Sequence, residues 1–189
     1  MPKKKWESQL PSSKKYREIT GLTFQKISEN ADLWLSQANE FKNAAECIYD
    51  SSGGAPNLPY YFLVSLSFEL ALKALAIAGK YQFEKNHNLM KLANLTRLPV
   101  NEDQNYTLEL LSEIIVWSGR YPVPKKEGQW DNYWDSVLEK HIVRERRGNT
   151  YNTRVHQGRF PTQNNISAIW ILIQQAYAKT KPWPAKKSN

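Results

Sequence analysis

Apolar residues recur at three- and four-residue steps in several stretches of this chain, the spacing of one helix face turned to a core. The first stretch predicts a helix from about Thr23 to Tyr49, built on Leu22, Ile27, Leu33, Leu35, Ala38, Phe41, Ala45 and Ile48. Ser51-Ser52-Gly53-Gly54-Ala55-Pro56 stops it. The second runs from about Pro59 to Lys80 and is apolar almost all round, as a central helix should be. Gly79 stands where its C-terminal cap belongs. His87 then leads into Leu89, Leu92 and Leu95, a short amphipathic helix that Pro99 to Asn101 breaks. A further helix is expected from about Asp103 to Trp117, with Leu108, Leu111, Ile114 and Ile115 as its stripe. Pro122 and Pro124 forbid its continuation. Beyond them the pattern predicts a helix over about Trp130 to Arg146 and a polar, irregular stretch from Gly148 to Pro161. The last helix spans about Gln163 to Ala178, with Ile166, Ile169, Trp170, Ile173 and Tyr177 on one face. There is no internal repeat, no sustained heptad and no clear strand alternation.

This order of elements predicts an all-α fold, a helical bundle of five to six helices around Leu63–Ala78. At 189 residues the chain can bury one core without disulfides or a structural metal. Residues 1–20 read as a flexible basic tail, 21–180 as the helical domain, and 181–189 as a second flexible tail, with Trp183 set between Pro182 and Pro184.

Charge adds little to this picture until it is located. The net charge is +8, but within residues 1–17 Lys3, Lys4, Lys5, Lys14, Lys15 and Arg17 face only Glu7, and Lys179, Lys181, Lys186 and Lys187 face no acid near the end. Net basicity still favours polyanions as partners. The single cysteine, Cys47, excludes an intrachain disulfide and cysteine-rich zinc sites, and reads as a small core residue in a reducing, cytoplasmic setting. No secretory signal is legible. The long apolar run Tyr61–Gly79 carries Glu69 and Lys73 in its middle, so it reads as a core helix and not a membrane span. No glycine-rich phosphate loop is present.

Three segments in order carry a resemblance. Ser67-Phe68-Glu69-Leu70-Ala71-Leu72-Lys73-Ala74-Leu75 is similar to the E-x-x-x-K-A-L central helix of HEPN domains. His87-Asn88-Leu89-Met90-Lys91-Leu92 is similar to the family's H-D-L-x-x-L element, with Asn88 in place of the acid. Gly119-Arg120-Tyr121-Pro122 resembles its A-R-Y-P-D element, with Val123 where the acid stands. The resemblance covers roughly residues 22–124. It implies a helical bundle that pairs into homodimers, a defence or toxin–antitoxin setting, and a nucleotidyltransferase-type partner protein. Some members are metal-independent RNases with an Arg-x(4–6)-His motif; others lack it and bind nucleotides or partners. Here the positions five to seven residues before His87 (Lys80, Tyr81, Gln82), His141 (Trp134, Asp135, Ser136) and His156 (Asn149, Thr150, Tyr151) hold no arginine. The resemblance therefore implies the non-catalytic branch.

The candidate ligand residues follow. Glu69 and Lys73, four apart, form either a structural ion pair or one wall of a cleft. His87 is a cap residue or a polar wall of a nucleotide pocket. Arg120 covers helix-end carbonyls or binds phosphate, and Tyr121 packs or stacks on a base. Arg144, Arg146, Arg147 and Arg154, with Tyr151 among them, suit nucleic-acid contact or a solvated basic face. The enzymatic alternative is a divergent metal-independent endoribonuclease using His141 or His156 with Arg144 or Arg154; His141 and Arg144, three apart on the expected helix, would recreate the pair in reverse order. A third alternative is a dimeric scaffold with no nucleic-acid ligand. Of the seven tryptophans, Trp117, Trp130 and Trp134 flank the loop after Arg120 and read mainly as core or interface anchors. Asp131 and Asp135 lack a third ligand, so no metal or cofactor is expected.

Overall fold

The computed structural model describes residues 12–84 and 86–181. Most of the expected basic tails, Trp183 included, therefore lies outside the described residues. The fold is mostly helical, with α1 (Ser13–Thr20), α2 (Phe24–Ser28), α3 (Ala31–Ser51), α4 (Leu58–Ala78), α5 (Leu89–Leu95), α6 (Glu102–Glu113), α7 (Glu127–Asn132) and α8 (Gln163–Thr180). One antiparallel hairpin joins them, β1 (Ile142–Arg147) and β2 (Thr150–Val155).

The central helix is α4. Asn57 caps its N-terminus through Tyr60 N at 3.0 Å, and Val64, Phe68, Ala71, Leu72 and Ala74 are buried along it. Helix α3 makes the most extensive packing against α4, and α8, α5 and α6 also pack on it. Phe68 stacks on Trp170 of α8 at 5.9 Å between ring centres. Among the described residues only α4 is long and apolar enough to cross a membrane, and most of its apolar window is buried within the protein. A polar chain bridges the three long helices inside this packing. Lys42 pairs with Glu46, Glu46 Oε2 accepts from Gln163 Nε2 at 2.8 Å, and the Tyr60 hydroxyl donates to Gln163. Every buried group there has a partner, which is what makes polar atoms tolerable in a core.

The structure departs from the sequence expectations at four places. The helix expected from Thr23 to Tyr49 is broken, because Asn30 stops accepting helical geometry and caps a new helix: its side chain accepts from Asp32 N and Leu33 N at 3.1 and 3.3 Å. The expected flexible tail over residues 1–20 contains α1, a helix that buries none of its residues. Cys47 is exposed rather than in the core. The buried line of α3 is Ala38, Lys42 and Ala45, and a residue two positions beyond Ala45 is rotated by about 200° to the opposite face.

The fourth departure is the largest. The stretch expected as a helix over Trp130–Arg146 changes form repeatedly: α7 ends at Asn132, a π-helical turn covers Tyr133–Val137, a 3₁₀ turn covers Leu138–His141, and β1 follows. The expected irregular stretch after Gly148 contains β2. Gly148, at φ +61°, occupies the first of two loop positions between Arg147 and Thr150, as glycine does in a II′ hairpin turn. The bundle is thus not purely helical.

Candidate functional site

The corner after α6 builds the site. α6 does not stop at Glu113 but widens into a π-helical turn, Ile114–Ser118. Such turns recur at functional sites. Gly119 then passes so close that an added Cβ would lie 2.7 Å from the Ile114 carbonyl oxygen and 2.7 Å from the Phe62 ring. Only glycine fits there without displacement. The amides of Arg120 and Tyr121 both donate to the Trp117 carbonyl, at 2.9 and 2.8 Å. Arg120 Nη2 donates to the Ile115 carbonyl, and its guanidinium lies 6.0 Å from the Phe62 ring centre. One of the fork's donors is so engaged; the rest of a five-donor group remains for a ligand. Both readings of Arg120, helix-end cover and anion contact, are compatible in this geometry. Tyr121 is 58% exposed.

Glu69, Lys73 and His87 also come together. Glu69 is 3% exposed and pairs with Lys73; its second carboxylate oxygen lies 2.9 Å from His87 Nδ1. Lys73 also stands 5.9 Å from the Phe83 ring centre. An acceptor on Nδ1 makes that nitrogen the donor and leaves Nε2 as the ring's remaining polar atom. His87 is not the cap of α5; Asn88 is, accepting from Lys91 N at 2.9 Å.

A cavity of about 610 Å³ is lined by His87, Trp117, Arg120, Tyr121, Lys125 and Gln129, with Val116 and the Pro122–Pro124 segment. A second cavity, of about 710 Å³, shares Trp117, Arg120, Tyr121 and Pro122 with it and is walled by Tyr61, Trp130, Tyr133, Trp134 and Phe160. The tryptophans form one cluster: Trp117 lies 5.1 Å from Tyr133 and 5.9 Å from Trp130, and Trp130 lies 5.7 Å from Trp134. So three of the sequence's ligand candidates, His87, Arg120 and Tyr121, share one cavity, while Glu69 and Lys73 stand behind it as support for His87. Sequence reasoning missed Lys125 and Gln129, which follow two prolines and carry no motif.

The basic segment is separate. Arg144 pairs with Glu139, and Arg154 donates twice to Glu145 Oε1, at 3.1 and 2.9 Å. Arg146 Nε donates to the Gly148 carbonyl at 3.1 Å, and Arg147 is exposed. His141 lies at the base of the hairpin, 0% exposed, with neither ring nitrogen hydrogen-bonded among the described residues. Burial pushes its pKa down to about 4. Arg144 follows it on a strand, so the three-residue helical spacing that would set the two side by side does not exist. His156 N donates to the His141 carbonyl at 2.8 Å, and Arg159 N donates to the His156 carbonyl at 3.1 Å. Arg159 is engaged by Asp103 at 3.0 Å and lies over the Tyr106 ring at 4.5 Å.

Among the described residues no three His, Cys, Asp or Glu side chains are grouped to hold a metal ion. Comparison with protein-family models, curated proteins and solved structures found no match to this chain.

Proposed function

We propose that this chain is a HEPN-like, non-catalytic binding module that takes a nucleotide, free or as part of an RNA strand, at the His87–Arg120–Tyr121 cavity. The observation that carries the reading is that one cavity collects a planar cation, a second cation in Lys125, an oriented imidazole and an exposed tyrosine beside a tryptophan cluster. A nucleotide offers the matching chemistry. Its phosphate suits the guanidinium fork, and its base suits an aromatic face. Catalysis is not part of the proposal, because His141 is closed to solvent and no arginine stands at the RNase spacing.

The resemblance adds a homodimer and a nucleotidyltransferase-type partner in a defence or toxin–antitoxin setting. Support for pairing comes from the exposed apolar residues of the first helices and the turn between them, Tyr16, Ile19, Leu22, Phe24 and Leu33, rather than from α4, most of whose apolar window is buried within the protein.

The test is calorimetric titration with a mononucleotide and with a short single-stranded RNA, in EDTA. Tyr121→Ala should weaken binding about tenfold, the loss of one stacked base. Arg120→Lys should weaken it too while keeping the charge. Absence of heat with either ligand at millimolar concentration ends the proposal. RNA cleavage that His156→Ala abolishes would replace it with the endoribonuclease alternative.

A further inference from the structure

The hairpin stands apart from that cavity and has its own chemistry. Every residue from Arg144 to Val155 is exposed. Between Ile142 and Val155 four arginines face one acid, Glu145, a net of +3. The strand register places Arg144 opposite Thr153 and Arg146 opposite Tyr151, and it places Val143 opposite Arg154 and Arg147 opposite Thr150. Paired residues share a face and successive ones alternate. So Arg144, Arg146 and Tyr151 occupy one face of the ribbon, and Arg147 and Arg154 the other.

The arm is free along its length but fixed at its root. Thr107 Oγ1 donates to the Arg159 carbonyl at 2.8 Å, Lys140 Nζ reaches both Glu109 oxygens at 2.9 Å, and Asn165 Nδ2 donates to the carbonyls of Gln157, Gly158 and Phe160. His141 is sealed beneath it. The two salt bridges along the arm, Arg144–Glu139 and Arg154–Glu145, are solvent-exposed. Exposed pairs contribute little and exchange readily for a phosphate.

We propose that this hairpin is an arm that enters the major groove of duplex DNA. A two-stranded ribbon with both faces in water is marginal alone, so an occupant is expected, and the charge selects a polyanion. A second copy's arm carries the same charge and is repelled. An anionic membrane or a flat protein surface meets one face and leaves two arginines idle. A groove walled by phosphates on both sides meets both pairs. The major groove of B-form DNA, about 12 Å wide and 8.5 Å deep, admits a two-stranded ribbon, whereas that of A-form RNA is too narrow for side chains to read. This inference does not rest on the nucleotide cavity.

The test is fluorescence anisotropy of a labelled mixed-sequence DNA duplex at several salt concentrations, with single-stranded DNA, duplex RNA and phosphatidylserine vesicles as competitors. Two double variants separate the faces: R144A/R146A and R147A/R154A. Each should weaken duplex binding at least about tenfold and reduce the slope of log K against log salt by about two, one unit per lost phosphate contact. The lysine pair R144K/R146K should keep the slope, and circular dichroism with thermal melting should show all variants folded. Tyr121→Ala should leave duplex binding unchanged. Loss confined to one face, equal competition by single strand, duplex RNA or vesicles, abolition by Tyr121→Ala, or no salt-dependent binding at all would each overturn the proposal.

Discussion

His141 shows what a single side chain contributes. It is neutral in the fold because burial holds its pKa near 4, while in the unfolded chain it titrates near the ordinary value of about 6.5. Above that value both states are neutral and stability is full. As pH falls from about 6.5 to 4, the unfolded chain takes up a proton that the folded chain refuses, and stability drops by something on the order of 3 kcal/mol. His141→Leu should remove this slope, since an apolar side chain has no proton to take up in either state. Urea midpoints at pH 7, 5.5 and 4.5 would show it; parallel pH curves for both proteins would refute it. At this scale the sequence was readable where one motif imposes one geometry. The Glu69–Lys73 spacing and the Gly119–Arg120–Tyr121 corner both appear where periodicity and sterics put them. His141 was not readable, because nothing local distinguishes a buried imidazole from an exposed one.

Among elements, helix ends were legible and the hairpin was not. α4 and α5 both finish in a Schellman arrangement: Tyr81 N donates to the Ala76 carbonyl at 2.8 Å, and Leu98 N to the Ala93 carbonyl at 2.9 Å. The residue that must take positive φ is Lys80 (58°) in one and Arg97 (53°) in the other. Gly79 therefore precedes the left-handed position; its place is set by the Tyr81 ring, 2.5 Å from where a Cβ would stand. A non-glycine residue in the left-handed region costs about 1–2 kcal/mol. Arg97→Gly should thus raise stability by about 1 kcal/mol, less a few tenths for a cation lost from the helix end. A higher melting temperature checks this, and an unchanged or lower one counts against it. The hairpin escaped detection because strands are recognised by apolar alternation, and Arg144-Glu145-Arg146-Arg147 has none when both faces meet water. Its one signal was Gly148-Asn149, a two-residue turn pair.

For the molecule as a whole, the bundle followed from α4. A helix that is apolar all round has to be surrounded, and α3, α8, α5 and α6 surround it. The shape of the aromatic cavity did not follow, since it arises where two π-helical turns, Ile114–Ser118 and Tyr133–Val137, bring Trp117 and Tyr133 edge to face. The exposed arm has a further consequence for how the chain is held together. Its tip at Gly148 joins two strands that are exposed from Arg144 to Val155 and meet the rest of the fold at the Leu138–His141 turn, while α8, beyond it, packs on α4 with Ile166, Ile169 and Ile173 in the core. Trypsin should cut first among Arg144, Arg146, Arg147 and Arg154, and the two pieces should still elute together from a sizing column; separation of the pieces would show that the bundle needs the link. Covalent continuity at that tip is then dispensable. The protein could be expressed as two halves, 1–147 and 148–189, that find each other through α4 and α8 and restore one cavity from two chains.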